Sequence, residues 1–205
     1  HHHVDDAFSR ECIMREARTL ARVRHGNVVQ IFAYEEWQGR PVLVMEYVPG
    51  GSLDQEIDRR MGAPVPLERV RELVRGMCEG VEVIHLAGSV HRDLKPANVL
   101  IGARLQVKLA DFGLAGFIDS DVGFDAVGTP AYMSPEALGS GQHAMGEGRR
   151  GDDLWSLAVI AYELLTGVRP FGQGSFDDVL AMQLAGPPPP PSSFRSALPG
   201  TLDGL

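Results

Sequence analysis

The fold and chemistry of this chain are decided by the stretch His91-Arg92-Asp93-Leu94-Lys95-Pro96-Ala97-Asn98, which is followed by Asp111-Phe112-Gly113. These residues place a carboxylate, an ammonium group and an amide close together, with a second carboxylate shortly after them. Carboxylate and amide oxygens are ligands that Mg²⁺ prefers, and a lysine is a compact cation that suits a phosphate group. The combination is typical of phosphoryl transfer, in which the protein orients the nucleophile, neutralises phosphate oxygens and holds a metal ion.

The two stretches resemble the catalytic loop and the metal-binding loop of protein kinases. Lys95, two residues after Asp93, resembles the serine/threonine class. The resemblance implies that Asp93 orients or accepts the proton of the substrate hydroxyl, while Lys95 lies against the γ-phosphate of ATP. It also implies that Asn98 and Asp111 bind Mg²⁺, with Mn²⁺ as an alternative ion. A lone loop Asp or Asn is usually a turn or cap residue, but the spacing and order of the two motifs are specific.

The resemblance extends to the ATP site. The stretch Met45-Glu46-Tyr47-Val48 resembles the hinge, with a gatekeeper side chain followed by two residues whose backbones face adenine. A helix glutamate precedes His25 at the spacing at which kinases pair such a residue with the ATP-positioning lysine. Without the resemblance it would be an ordinary exposed glutamate. The residues expected at the ATP site are Met45, Glu46, Val48, Leu53, Leu100, Asp111 and Glu16.

A further stretch, 128–136, resembles the segment on which protein kinases dock a polypeptide substrate. The residues expected to form this docking segment are Gly128, Thr129, Pro130, Tyr132 and Glu136. Small-molecule phosphotransferases of kinase-like fold normally lack it. The segment therefore favours a protein substrate over a small one.

Four residues are interpreted as regulatory: Arg92, Asp125, Ser120 and Thr129. In kinases with an Arg before the catalytic Asp, that Arg meets a phosphorylated residue four positions before the docking-segment Thr, which here is Asp125. A carboxylate carries less charge than a phosphate, so the pairing would be constitutive and weaker. A solvated acidic loop explains Asp125 equally well, and Ser120 is the competing phosphorylation site.

The resemblance covers nearly the whole chain and is closest to eukaryotic-like (Hanks-type) serine/threonine kinases of bacterial type. It implies an α+β fold in which residues 1–48 form a partial N-lobe and hinge, with a helix equivalent to αC and two strands. Residues 49–205 would form a mostly helical C-lobe, truncated at its C-terminal end. The glycine-rich loop and the ATP lysine would fall upstream of His1, and the arginine that pairs with Glu136 beyond Leu205. The chain alone is therefore expected to be inactive as a kinase.

Hydrophobic periodicity and turn residues predict the secondary structure. Helices are expected over 5–24, from after Pro66 to near Gly88, over 154–165 and over 176–185. The third of these is apolar nearly all round, which predicts burial on every side. Hairpins are expected to pair 28–34 with 41–47 and 99–101 with 106–109, and loop sequence is expected from 113 to 136. Prolines 187–191 are interpreted as an extended connector rather than as an SH3-type ligand.

Composition limits the partners. A net charge of −8 and a pI near 5.3 argue against a nucleic-acid or anionic-membrane surface, which would need clustered Lys and Arg. No apolar run is long enough to span a bilayer, and Cys12 and Cys78 have no metal-ligand spacing. We therefore expect ATP and proteins as partners, in a cytoplasmic setting.

One alternative function stays open at this point. A pseudokinase or scaffolding module would bind protein partners through the same fold without catalysis. The presence of Asp93, Lys95, Asn98 and Asp111 argues against that alternative for the parent protein.

Overall fold

The structure is a computed structural model that describes residues 19, 21–37, 40–111, 129–139 and 149–204. The predicted helix over 5–24 falls almost entirely outside the described residues. So do four predicted site residues, namely Glu16, Ser120, Asp125 and Gly128.

The first hairpin consists of strands β1 (Ile31–Trp37) and β2 (Arg40–Met45), which pair antiparallel. The hairpin is confirmed, but β1 begins three residues later than predicted. Val28 forms a parallel bridge with Leu109 instead, and the amide N–H of Val29 donates to the carbonyl of Leu109 at 2.8 Å. The residues before β1 therefore join the hairpin to the larger part of the molecule.

The long predicted helix is confirmed as α2 (Leu67–Leu86), and its buried face consists of residues at helical spacing, including Val70, Leu73, Met77, Val81 and Ile84. The second predicted hairpin is confirmed as strands β3 (Val99–Ile101) and β4 (Val107–Leu109), and α2 packs against β4. Gly80 permits this close approach, because a Cβ there would lie 2.8 Å from both the Asn27 carbonyl oxygen and Leu109 Cδ1. The catalytic stretch lies between α2 and β3.

Helix α4 (Arg150–Thr166) forms the centre of the helical part and packs on α2. It begins four residues before the predicted start, where the Asp152 carboxylate accepts from the amide N–H of Arg149, the residue just before the helix. The expected burial on every side is wrong for the first turn, where Leu154 is 57% exposed. From Leu157 onward most of the helix is buried, and it ends at Gly167, whose φ of 81° favours glycine.

Two short helices that precede α4 were missed by sequence reasoning: α1 (Leu53–Arg59) and α3 (Pro135–Gly139). Each has one buried residue and fewer than two full turns, which is too little for a periodic pattern. Single 3₁₀ turns cover Pro96–Asn98, Ala103–Leu105, Pro130–Tyr132 and Gly200–Leu202. Part of the segment predicted as loop before residue 136 is therefore ordered into a turn and a helix.

Helix α5 (Phe176–Ala185) has the predicted bounds, and its N-cap residue is Ser175. The prolines after it run extended until Pro191 begins the four-residue helix α6 (Pro191–Phe194). Their path is fixed by the hydroxyl of Tyr162, which donates to the Pro189 carbonyl at 2.7 Å. Within the described ranges, no helix combines the length and apolar character needed to cross a membrane.

Candidate active site

The three predicted catalytic side chains lie together after α2. Lys95 Nζ is 2.8 Å from Asp93 Oδ2, and Asn98 Nδ2 donates to the same oxygen at 3.0 Å and to the Asp93 backbone carbonyl at 2.7 Å. The 3₁₀ turn over Pro96–Asn98 reverses the chain so that the 5%-exposed Asn98 faces back toward Asp93. The cluster is thus built within six residues of sequence.

The backbone before Asp93 is held by a residue that sequence reasoning did not assign to the site. Arg92 has a φ of 68°, a conformation that costs a non-glycine residue about 1–3 kcal/mol unless its surroundings enforce it. The buried carboxylate of Asp153 supplies that enforcement, because it accepts from the amide N–H groups of His91 and Arg92, each at 2.9 Å. His85 Nε2 lies 2.7 Å from Oδ2 of the same carboxylate.

No role was predicted for Asp153, which directly precedes the helix expected over 154–165. A carboxylate in an otherwise apolar helix is the sequence signal that points to such a role, since a buried charge requires partners. His91, in the catalytic loop, is completely buried. Burial lowers its pKa despite the nearby carboxylates of Asp153 and Asp93, which favour the charged form. Burial therefore favours the neutral form of His91.

The two predicted metal ligands lie on adjoining chain segments. Asp111 follows β4 directly, and the amide N–H of Ala110 donates to the Asn98 carbonyl at 2.9 Å. Asp111 has a φ of 53°, another left-handed conformation beside the catalytic loop. Among the described residues, no group of three or more His, Cys, Asp or Glu side chains could hold a metal ion. Two oxygen ligands fit Mg²⁺, which usually takes few protein ligands and completes its shell with water and phosphate oxygens.

The hinge is anchored by its glutamate. The amide N–H of Glu46 donates to the Gln30 carbonyl at 2.8 Å, and its carboxylate lies 2.9 Å from Lys108 Nζ on β4. Burial acts to raise the pKa of Glu46, but Lys108 and the Gln30 N–H outweigh burial, so the pKa lies below its ordinary value. The hinge is thereby tied to the strand that ends next to Asp111.

The other residues expected around adenine differ in exposure. Leu53 is fully buried, whereas Met45, Val48 and Leu100 are half-buried. Ser52, the residue before Leu53, bridges Leu100 on β3, which brings these two segments together. Their assignment to adenine binding stays a prediction.

The docking segment is fixed by the buried side chain of Tyr132. Its hydroxyl donates to Glu163 Oε2 at 2.6 Å, and Arg169 Nε donates to Glu163 Oε1 at 2.9 Å. The guanidinium of Arg169 also lies 5.3 Å from the centroid of the Tyr132 ring, a cation–π distance. Burial and the adjacent Glu163 carboxylate raise the pKa of Tyr132, so its hydroxyl remains a donor.

The catalytic loop and the docking segment face one another across a shared pocket. The catalytic loop lines it with residues 92–95, and the docking segment lines it with Thr129, Tyr132, Met133 and Ser134. Glu136 is exposed, and no ion pair involving it occurs among the described residues. The proposed pairing of Arg92 with Asp125, and the Ser120 alternative, cannot be placed because both partners lie outside the described ranges.

Comparisons with known proteins agree with this geometry. Residues 1–187 match the protein kinase domain family. The chain is 38% identical over 198 residues to the serine/threonine-protein kinase Pkn1 of Myxococcus xanthus, covering 92% of this chain and 27% of that protein. It is 35% identical over 214 residues to the serine/threonine-protein kinase PksC of Streptomyces coelicolor, covering 98% of this chain and 37% of that protein.

The fold matches that of a solved bacterial kinase domain. The crystal structure of a mutant form of the Mycobacterium tuberculosis PknI kinase domain superposes with a TM-score of 0.71 and 28% identity. The match covers 96% of this chain and 67% of that chain, and the chain spans about a quarter to a third of the two bacterial relatives. The predicted α+β fold is confirmed, and the chain belongs to the protein kinase domain family.

Proposed function

We propose that the protein carrying this domain transfers the γ-phosphoryl group of ATP to serine and threonine hydroxyls of proteins. The observation that supports this most strongly is the Asp93–Lys95–Asn98 cluster, which opens on a pocket walled by the docking segment. Phosphoryl transfer asks the protein mainly for positioning and charge neutralisation, and this cluster supplies a base and a cation at one point.

The residues divide the work as follows. Asp93 receives the proton of the substrate hydroxyl. The described contacts to its carboxylate fall on Oδ2, which leaves Oδ1 for the substrate. Lys95 neutralises charge on the transferred phosphoryl group. Asn98 and Asp111 would hold Mg²⁺, which would neutralise the phosphate oxygens.

The substrate is a protein, because the docking segment is built as a wall of the same pocket that contains Asp93 and Lys95. Lys95 supports serine and threonine as the acceptors, in keeping with the bacterial relatives, which are named serine/threonine-protein kinases. We expect the domain to act in the cytoplasm, where ATP is available, and to require neither nucleic acid nor a membrane surface.

The test is to incubate the full-length protein with γ-labelled MgATP and casein, and then to identify the labelled amino acid after acid hydrolysis. Label on phosphoserine and phosphothreonine is expected. Nucleotide binding without transfer would contradict the proposal and favour a scaffolding module. Transfer to small alcohols but not to protein would favour a small-molecule phosphotransferase.

A further inference from the structure

Three consecutive residues of the docking segment are each held by a side chain from a later helix. Ser156 Oγ on α4 donates to the Tyr132 carbonyl at 2.8 Å. Gln183 Nε2 on α5 donates to the Met133 carbonyl at 2.9 Å. The hydroxyl of Ser134 donates to Asp152 Oδ1 on α4 at 2.6 Å. The third contact differs from the other two because it uses a side chain of the docking segment itself.

The Ser134–Asp152 pair joins the starts of two helices. Ser134 is 3% exposed, and its Oγ also accepts from the amide N–H of Ala137 at 3.1 Å, as an N-cap residue of α3 does. Asp152 Oδ2 accepts from the amide N–H of Arg149 at 3.0 Å, just before α4. The bond between Ser134 and Asp152 is partly buried and charge-assisted, and such bonds are stronger than those between two neutral groups. It fixes α3 and the docking segment against α4.

The next residue of α4 holds the catalytic loop. Asp153 accepts from the amide N–H groups of His91 and Arg92, the two residues before Asp93. Neighbouring residues of one helical turn therefore hold the two walls of the substrate pocket, since Asp152 binds the docking segment and Asp153 binds the catalytic loop. A helical turn is rigid, so the separation of these walls is set by α4.

We propose that Ser134 and Asp152 are positioning residues that set the protein substrate at the correct distance from Asp93. This proposal rests on the proposed function, because it concerns the polypeptide acceptor of the same reaction. Both residues line the pocket that contains Asp93 and Lys95, and their described hydrogen bonds do not reach the hinge. Their loss should therefore weaken use of the protein substrate while leaving ATP recognition intact.

The experiment compares steady-state kinetics of the full-length protein with Ser134→Ala, Asp152→Ala and the double variant. Each single substitution is expected to lower kcat/KM for a peptide acceptor roughly ten- to hundredfold, the effect of losing one charge-assisted hydrogen bond. The KM for MgATP should stay within about twofold of its original value. The loss in the double variant should be much smaller than the product of the two single losses, because both substitutions break the same contact.

A matched control removes the same kind of cap away from the pocket. Ser175 caps α5, with its Oγ donating to Asp178 Oδ2 at 2.7 Å and accepting from the Asp178 N–H at 3.3 Å. Ser175→Ala should lower thermal stability, although by less than Ser134→Ala because Ser175 is exposed, and it should leave kcat/KM for the peptide unchanged. If Ser134 acted only as a helix cap, Ser134→Ala would likewise leave kcat/KM for the peptide unchanged.

The proposal is overturned if Ser134→Ala lowers kcat/KM for the peptide by less than twofold, if the KM for MgATP rises in proportion, or if the two single effects multiply in the double variant. An inactive wild type would instead contradict the proposed function. In that case amide hydrogen exchange decides the positioning claim. Ser134→Ala must then speed exchange of the Ala137 N–H and of the His91 and Arg92 N–H groups. Faster exchange at Ala137 alone would contradict the positioning claim.

Discussion

The catalytic loop and the docking segment face the same pocket but are held in different ways. Within the catalytic loop, the contacts of Asp93 with Lys95 and Asn98 span at most five residues of sequence. The docking segment is held from outside, by residues 18 to 50 positions later in the chain, such as Asp152 for Ser134 and Gln183 for Met133. A motif can therefore encode the first region by itself, whereas the second exists only once the helices have packed.

The difference is not complete, because the backbone that leads into Asp93 also depends on a distant residue. Asp153 holds Arg92 in its left-handed conformation from 61 positions away. The first turn of α4 is thus the place where both regions are anchored. Substitutions that remove the distant contacts of one region at a time test this comparison between the catalytic loop and the docking segment.

The largest effect on stability is expected for Asp153→Ala. The substitution leaves the N–H groups of His91 and Arg92 and the ring of His85 without their acceptor in a buried position. The free energy of unfolding should fall by roughly 3–5 kcal/mol. Urea unfolding followed by tryptophan fluorescence measures the change, with the exposed Asp177→Ala as the control. A loss below about 1 kcal/mol would mean that the catalytic loop needs no distant support.

An intermediate effect is expected for Tyr132→Phe, which removes the hydrogen bond to the Glu163 carboxylate but keeps the ring beneath Arg169. Losing a buried bond to a charged group should lower the free energy of unfolding by about 1.5–3 kcal/mol. The matched control is Tyr162→Phe. The Tyr162 hydroxyl donates to the neutral carbonyl of Pro189, so its removal should lower the free energy of unfolding by less. Equal losses in urea unfolding would show that the docking segment is not specially anchored through Glu163.

The smallest effect is expected for Glu46→Gln at the hinge. The pair with Lys108 is partly exposed, so its loss should cost less than about 1 kcal/mol at pH 7. The pKa of Glu46 is lowered in the folded protein from its ordinary 4.5, so the contribution is complete above that value and is lost as pH falls through the folded pKa. Wild type and variant should therefore converge in acid urea titrations, and a difference that grows below pH 4.5 would contradict this assignment.

Much of the fold was predictable because local signals agree with it. The bounds of α5 follow from the Ser175 cap and an apolar pattern, and the buried face of α2 follows from its period. The start of β1 was misplaced because Val28, a strong strand former, pairs with Leu109 from the distant hairpin. The β-propensity of a residue indicates strand character but does not identify the strand with which that residue pairs.

The site, like the fold, was predictable from the sequence only in part. The sequence motif is sufficient to predict that Asp93, Lys95 and Asn98 lie together. It does not predict that Asp153 supports the backbone of Arg92, because a carboxylate in an apolar helix indicates a need for partners but not which backbone groups those partners are. Nor does it predict that Ser134 reaches Asp152, since the two residues lie 18 positions apart and meet only in the folded chain.

The measurement that tests the central claim most directly is the rate of γ-phosphoryl transfer from MgATP to casein by the full-length protein carrying Asp93→Asn. The catalytic loop is held by the backbone carbonyl of residue 93 and by Asp153, so the asparagine should keep the loop in place while removing the base. We predict a rate about 10²–10⁴-fold lower than that of the wild type, with an unchanged thermal unfolding midpoint. A variant that keeps more than about one tenth of the wild-type rate while remaining folded would show that Asp93 is not the base.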